Sequence, residues 1–403
     1  MADEAPPGGA SGPGHAAVPS RQARRRAAAA TRRRARRTWG YVLGGTAAVV
    51  VAVAAGAIVT AHHQNAARAA VTTTTTTRPA VPVAFCPLTG TPAPGGVVPA
   101  RPALAIKIGN YTGDRPSAGL NQANVVFEEP VEGAITRLVA VFQCTSAPLV
   151  GDLRSAREPD VAILSQLSNP IFIHAGGIDP VLALLANAPL IDENILDSAS
   201  GAMVTSPPGR YAPYATFTST AAGWALDPSD KTPPAPIFTY TAALPAGAVP
   251  GSGGSVHIPF SSSSDVTWQW DPKTATYLRS YSGSPDILIG GAQTSATNVV
   301  VMSVETSIGP WIENDEGGQE VEVTATGSGP LVVLRSGAAI IGTWSRASDT
   351  QPATLTTASG APITLAPGNT WVELVPEQVQ VTSAPLPPTP APPSKKVSST
   401  SKP

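Results

Sequence analysis

The apolar residues between Arg101 and Gly177 come in four short runs, none longer than six residues: Ala103-Leu-Ala-Ile-Lys-Ile108, Asn124-Val-Val-Phe127, Leu138-Val-Ala-Val-Phe142 and Ile171-Phe-Ile173. Runs of that length suit buried strands and are too short for free-standing helices, so this part of the chain must build a sheet. Between and just beyond the runs lie Lys107, Asn110, Arg115, Gln122, Glu128, Glu129, Glu132, Arg137, Arg154, Arg157 and His174. That density far exceeds the 13% charged fraction of the whole chain, and it marks the stretch as the place to look for binding.

Helical spacing returns after Arg157. Val161, Ile163, Leu164 and Leu167 share one face of a segment that Asn169-Pro170 ends, and Asp179 to Asn187 reads as a second helix with Asp179 as N-cap and Pro180 in its first turn. Strands and helices in this order predict an α/β layer over residues 86–240. Proline-rich segments around Pro207 and from Pro228 to Pro236 place a boundary near residue 240. From there to residue 376 the chain alternates in short strands: Val266–Trp270, Thr276–Arg279, Val299–Met302, Val321–Thr324, Leu331–Leu334 and Ile363–Leu365. The expected fold class is therefore α+β, an α/β domain followed by an all-β sandwich or barrel. Trp311, Trp344 and Trp371 read as core or corner residues, with a ligand-facing Trp as the sharper alternative.

The ends have a different composition. Residues 1–38 carry nine Arg against Asp3 and Glu4, so a near-neutral total of −1 conceals a basic head on an acidic remainder. Trp39 to Ala61 then runs 23 residues without a charge, about 34 Å as a helix, which is enough to cross a membrane. The Arg cluster directly before it puts the N-terminus in the cytoplasm and the rest outside. A cleavable signal peptide ending at Val59-Thr-Ala61 is the competing reading, but the length of the apolar run favours an uncleaved anchor. Residues 62–85, rich in Thr and Pro, read as a linker, and residues 377–403 as a disordered Pro/Ser/Lys tail. Basic residues beside an apolar span point to topology and anionic lipid, so no nucleic-acid partner is expected.

Cys86 and Cys144 are the only cysteines. An isolated pair in an exported domain reads as a disulfide; a Cys144–His174 catalytic pair would need that thiol free.

Several stretches also carry a resemblance. Arg101 to Asn110, Arg115 to Asn124, Phe127 to Arg137 and Val150 to Arg157 are similar to the signature of the YerB-like family, bacterial envelope proteins whose biochemical role is uncharacterised. Tyr277-Leu-Arg279, Asn298 to Val301, Gly342 to Arg346 and Leu365 to Val372 continue it. The resemblance spans roughly Arg101 to Pro376 and implies two extracytoplasmic domains, the first α/β and the second smaller and β-rich. It implies no reaction. Some relatives resemble lipoproteins, but this chain has no Cys just after its apolar run.

The chain contains no Gly-x-Ser-x-Gly elbow, His-Glu-x-x-His, Cys-x-x-Cys or phosphate-binding loop, and three of its five His, His15, His62 and His63, lie in the end segments. No catalytic residue, metal site or cofactor is assigned. The candidate ligand-binding set is Lys107, Glu128, Glu132, Arg137, Arg154, Arg157 and His174. In the functional reading, Arg154 and Arg157 hold an anionic group and the Glu residues orient it. In the plainer one, the set is an ion-pair network bracing strand ends. Strand periodicity puts Glu128 and Glu129 on opposite faces. The expected function is an envelope protein that binds a cell-wall component or partner; the alternative is a wall glycan or peptide hydrolase using Glu128, Glu132 or both.

Overall fold

A computed structural model describes residues 83–197 and 203–387. The expected basic tail 1–38, the span 39–61 and nearly all of the linker 62–85 lie outside the described residues. Among the described residues, no helix is long and apolar enough to cross a membrane.

The chain is mostly β-sheet with few helices. The first half supplies β1 (Leu104–Gly109), β2 (Val125–Val131), β3 (Ile135–Phe142), β4 (Val150–Gly151), α1 (Pro159–Ser165), β5 (Ile171–His174), α2 (Asp179–Asn187), β6 (Ile191–Asn194), β7 (Phe217–Thr218) and α3 (Thr220–Trp224). All four apolar runs are strands. The second half adds β8 (Val249–Pro250), β9 (Ser255–Ser261), β10 (Ser264–Asp271), β11 (Thr276–Tyr281), β12 (Ser284–Pro285), β13 (Ser295–Ala296) and β14 (Asn298–Ile312). After these come β15 (Gln319–Thr324), β16 (Gly327–Arg335), β17 (Ala338–Arg346), β18 (Thr354–Thr357), β19 (Thr370–Pro376) and β20 (Thr382–Ala384).

One sheet runs through both halves in the order β18-β17-β16-β14-β19-β2-β3-β1-β5-β6. The join is β19, which lies parallel to β14 on one side and to β2 on the other, with Glu373 opposite Glu128. The second half is therefore not a closed sandwich of its own. Its remaining strands form a second sheet, β12-β11-β10-β9-β20 with β13 beside β11. The boundary expected near residue 240 falls in a connection that crosses this architecture.

Alternation decides what each face of β1 meets. Leu104, Ile106 and Ile108 pack with Leu138, Phe142, Ile171 and Ile173 against Val256, Ile258, Trp268 and Tyr277 of the second sheet. Ala103 and Ala105 face the other way, with Phe127, Val139 and Phe172, and are covered by Ile163, Leu164 and Leu167 of the α1 segment and by Val181 and Leu185 of α2.

Three expectations need correction. Asp179 is the first helical residue of α2; the N-cap is Ile178, and no side chain caps it. Ile363–Leu365 makes only an isolated bridge, between Leu365 and Tyr240, and a backbone hydrogen bond from Ile363 N–H to Leu355 O at 2.8 Å, without forming a strand. Residues 377–387 belong to the fold rather than to a tail. Thr382–Ala384 pairs with β9, Leu386 N–H donates to Gly251 O, and Val379 and Val381 pack on the core. Backbone pairing to an edge strand needs no apolar side chain, so composition does not signal it.

Cys86 and Cys144 form a disulfide with Cα atoms 6.0 Å apart, tying the start of the described chain to the end of β3. Trp344 and Trp371 are buried, and Trp311 is half-buried.

Candidate functional site

The helix-covered face of the sheet turns from apolar to charged along β1, as Ala103 and Ala105 give way to Lys107 and then Gly109. Arg137 of β3 lies opposite both Gly109 and Glu129, so Lys107, Glu129 and Arg137 share this face. Lys107 is fully buried and pairs with Glu129 and with Asp160, 2.8 Å from Oδ1. The other oxygen of Asp160 accepts the Arg157 backbone N–H at 2.7 Å, which fixes the first turn of α1. Burial raises the Glu129 carboxyl to about 7, against the pull of Lys107.

Glu132 opens the Glu132–Ala134 turn joining β2 to β3, where Gly133 takes φ 73° and relieves the backbone. Arg157 donates from Nε to Glu132 Oε2 at 2.8 Å and from Nη2 to Oε1, and Arg137 Nη2 adds a contact of 3.2 Å to Oε1. The remaining donors are spent on carbonyls: Arg137 Nη1 on Ser155 and Arg157 Nη1 on Ala156. Desolvation works against the Glu132 charge, but the Arg157 hydrogen bonds and both guanidinium groups outweigh it and hold the carboxyl at about 2. Burial and the neighbouring Arg157 bring Arg137 down to about 10.

Glu313, in the turn after β14, reaches the same cluster, its Oε2 3.2 Å from Arg157 Nε. Burial raises this carboxyl too. The β14–β15 arm that carries it also buries Glu320, neither of whose oxygens has a hydrogen-bond partner. Beside the cluster, between this arm and the Glu132–Ala134 turn, lies an open groove of about 550 Å³. Thr306, Ser307, Ile308 and Gln319 form one wall, and Phe260, Ser261 and Pro376 the other.

Thus the structure brings Glu132, Arg137 and Arg157 together, with Lys107 one residue away through Asp160. The other candidates lie apart. Arg154 sits over Gly109 and pairs with Asp114 at 2.5 Å and Asp152 at 2.9 Å, its guanidinium 5.1 Å from the Tyr214 ring centroid. A Cβ on Gly109 would stand 2.3 Å from the Asp114 carboxylate, so this position excludes a side chain. Glu128 is fully buried on the opposite face of β2, where Arg279 Nη2 donates to both its oxygens at 2.8 and 3.0 Å and Asn110 and Thr136 donate to Oε1. A buried carboxylate with both oxygens engaged offers no general acid or base to a substrate at Glu132. His174 ends β5, with Nδ1 2.7 Å from Gly176 O and Nε2 2.8 Å from Asp192.

Four partners of Glu128 are absent from the candidate set: Asn110, Thr136, Arg279 and Glu373. Arg279 also binds Asp286 at 2.7 Å, and these carboxylates overcome desolvation to raise its pKa further. Glu373 accepts from Trp268 Nε1 at 2.6 Å, and burial together with the adjacent Glu128 raises its carboxyl well above the ordinary range. Tyr277, Arg279 and Tyr281 alternate inward along β11, a periodicity that the sequence displays. Glu313 and Glu320 have no comparable signal. Among the described residues, no group of three or more His, Cys, Asp or Glu is placed to hold a metal ion.

Two family descriptions match the chain: "Protein of unknown function (DUF3048) N-terminal domain" over residues 88–231 and its C-terminal counterpart over residues 256–372. The chain belongs to the YerB-like family. It is 27% identical over 301 residues to the Bacillus subtilis (strain 168) protein called "Putative lipoprotein YerB", covering 72% of this chain and 86% of that one. The crystal structure of Bacillus subtilis YerB matches with a TM-score of 0.63 at 22% identity, covering 74% of this chain and all of that one, a likeness of fold. The YerB-like stretches of this chain supply β1, the β2–β3 hairpin, Arg154 and Arg157, and so enclose the charged face.

Proposed function

We propose that this YerB-like chain is an extracytoplasmic envelope protein, held at the membrane by residues 39–61 with its N-terminus in the cytoplasm, that binds a cell-wall component or envelope partner in the groove beside Glu132. The observation that carries this reading is the groove itself, about 550 Å³ and open, with a rigid ion-paired wall behind it. Its hydroxyl and amide groups, Ser261, Thr306, Ser307 and Gln319, alternate with Phe260 and Ile308, a lining suited to a neutral polymer with hydrogen-bonding groups, such as a glycan or a peptide strand. The Arg–Glu pairs behind it shape the site and do not compete for the ligand.

The placement in the envelope rests on the Arg-rich segment before an uncharged run of 23 residues, and on a disulfide suited to an oxidising compartment. The relative is named "Putative lipoprotein YerB"; in this reading the uncharged run is the anchor of the present chain. The test is twofold. A reporter fused after residue 403 is active outside the membrane while the mature protein keeps its N-terminal Arg cluster, and the fragment from Thr77, which contains the whole compact unit, pellets with purified wall polymer without releasing fragments from it. A soluble secreted form beginning near His62 would overturn the anchor, and a fragment that stays in the supernatant would overturn wall binding.

A further inference from the structure

Away from the groove, the loop after β1 carries Arg115, whose guanidinium lies flat over the Tyr281 ring, 3.4 Å from its centroid. Among the described residues, no hydrogen bond or ion pair engages this guanidinium, and its Nε is buried without a partner. The neighbouring charges are already matched: Arg279 holds both Glu128 and Asp286. Arg115 is the one cation of the group with all its donors unspent. Burial lowers its pKa even though the Asp286 and Glu128 carboxylates, both held by Arg279, lie near enough to pull the other way.

The position is prepared on both sides. The Arg115 carbonyl accepts from Arg210 Nη1 at 3.0 Å, and the Ser117 carbonyl accepts the Ile289 N–H at 2.8 Å, so the loop is pinned to the β12 side of the second sheet. The ring beneath is fixed as well, since Tyr281 OH bonds Ser263 O at 2.6 Å. The guanidinium lines a cavity of about 450 Å³ together with Thr112 and Ser284, whose hydroxyls are unused inside the protein, Pro116, Ile287, and Asp286, whose carboxylate is taken by Arg279 at 2.7 Å.

We propose that Arg115, with Thr112 and Ser284, forms an oxyanion-binding subsite that takes a carboxylate or phosphate group carried on a larger ligand. A planar guanidinium held by ring stacking loses little freedom on meeting such a group, and its N–H fork matches either geometry. The subsite spans the two family regions, so an anion bound there contacts both the Arg115 loop and β12. It does not depend on the groove beside Glu132.

Equilibrium dialysis of the purified full-length chain against radiolabelled inorganic phosphate, and separately acetate, at fixed ionic strength tests the proposal. The expected result is saturable one-site binding of at least one anion; phosphate alone points to a phosphate-bearing ligand, acetate alone to a carboxylate. Arg115→Gln weakens binding about tenfold or more, the scale of a lost charged hydrogen bond. Ser284→Asp, on the exposed strand β12, sets a competing carboxylate beside Arg115; it weakens binding equally, leaves the melting temperature unchanged, and decides the matter if Arg115→Gln does not fold. Absence of saturable binding by both anions, or binding in the folded variants equal to wild type, overturns it.

Discussion

Arg157 grips both carboxylate oxygens of Glu132, with Nε 2.8 Å from Oε2, and so ties the segment before α1 to the turn between β2 and β3. The two side chains come from separate elements and are almost fully buried, at 4% and 6% exposure. The pair thus braces the wall of the groove, and its donors are consumed internally.

Replacing Arg157 by Leu leaves Glu132 with Arg137 alone and removes the ion-pair partner of Glu313 in a buried site. The expected cost is about 3 to 5 kcal/mol, the range for breaking one partner of a buried pair. Arg157→Lys keeps the charge but loses the fork and costs less. Urea unfolding of the two variants against wild type checks the order; equal, near-zero changes would contradict the bracing role.

The buried carboxyls predict a stability profile with two opposing slopes. Glu132, held at about 2 against an ordinary 4.5, contributes stability that is present above pH 4.5 and is lost as pH falls toward 2, on the order of 3 kcal/mol. Glu320 behaves oppositely. Burial and the nearby Glu158, Glu313 and Glu322 raise it to about 7, so its contribution is full below pH 4.5 and is lost as pH rises through 7. Glu320→Gln mimics the protonated form and flattens the decline between pH 4.5 and 7.5. Unfolding free energies across that range measure it, and an unchanged slope would rule the assignment out.

The Cys86–Cys144 disulfide closes a separation of 58 residues, worth about 4 kcal/mol by the chain-entropy estimate. Reduction, or Cys86→Ala with Cys144→Ala, lowers stability by that order in denaturant titrations. A shift below about 1 kcal/mol would show that the unreduced chain gains little from the loop.

Local pattern made much of this readable. Period-two alternation separated Glu128 from Glu129, and helical spacing located α1. The failures are long-range. Nothing near Thr370 announces that β19 inserts between β14 and β2, yet that insertion sets Glu373 against Glu128 and makes one sheet of the two halves. Arg154 and Arg157, only three positions apart, point to different partners because one sits over Gly109 and the other lies in the segment just before α1. The groove was not readable either, since its walls combine the β2–β3 turn with the remote β14–β15 arm.

The most direct test of the account is binding of purified wall polymer to the Thr77–Pro403 fragment when the groove alone is altered. Ile308 lines the groove and is 65% exposed, and Gln319 is exposed on the same wall, so Ile308→Asp and Gln319→Trp change the site without touching the core. The account predicts melting temperatures equal to wild type and binding weakened about tenfold, the scale of losing one well-placed contact. Wild-type binding in both folded variants would contradict it and place the ligand elsewhere on the molecule.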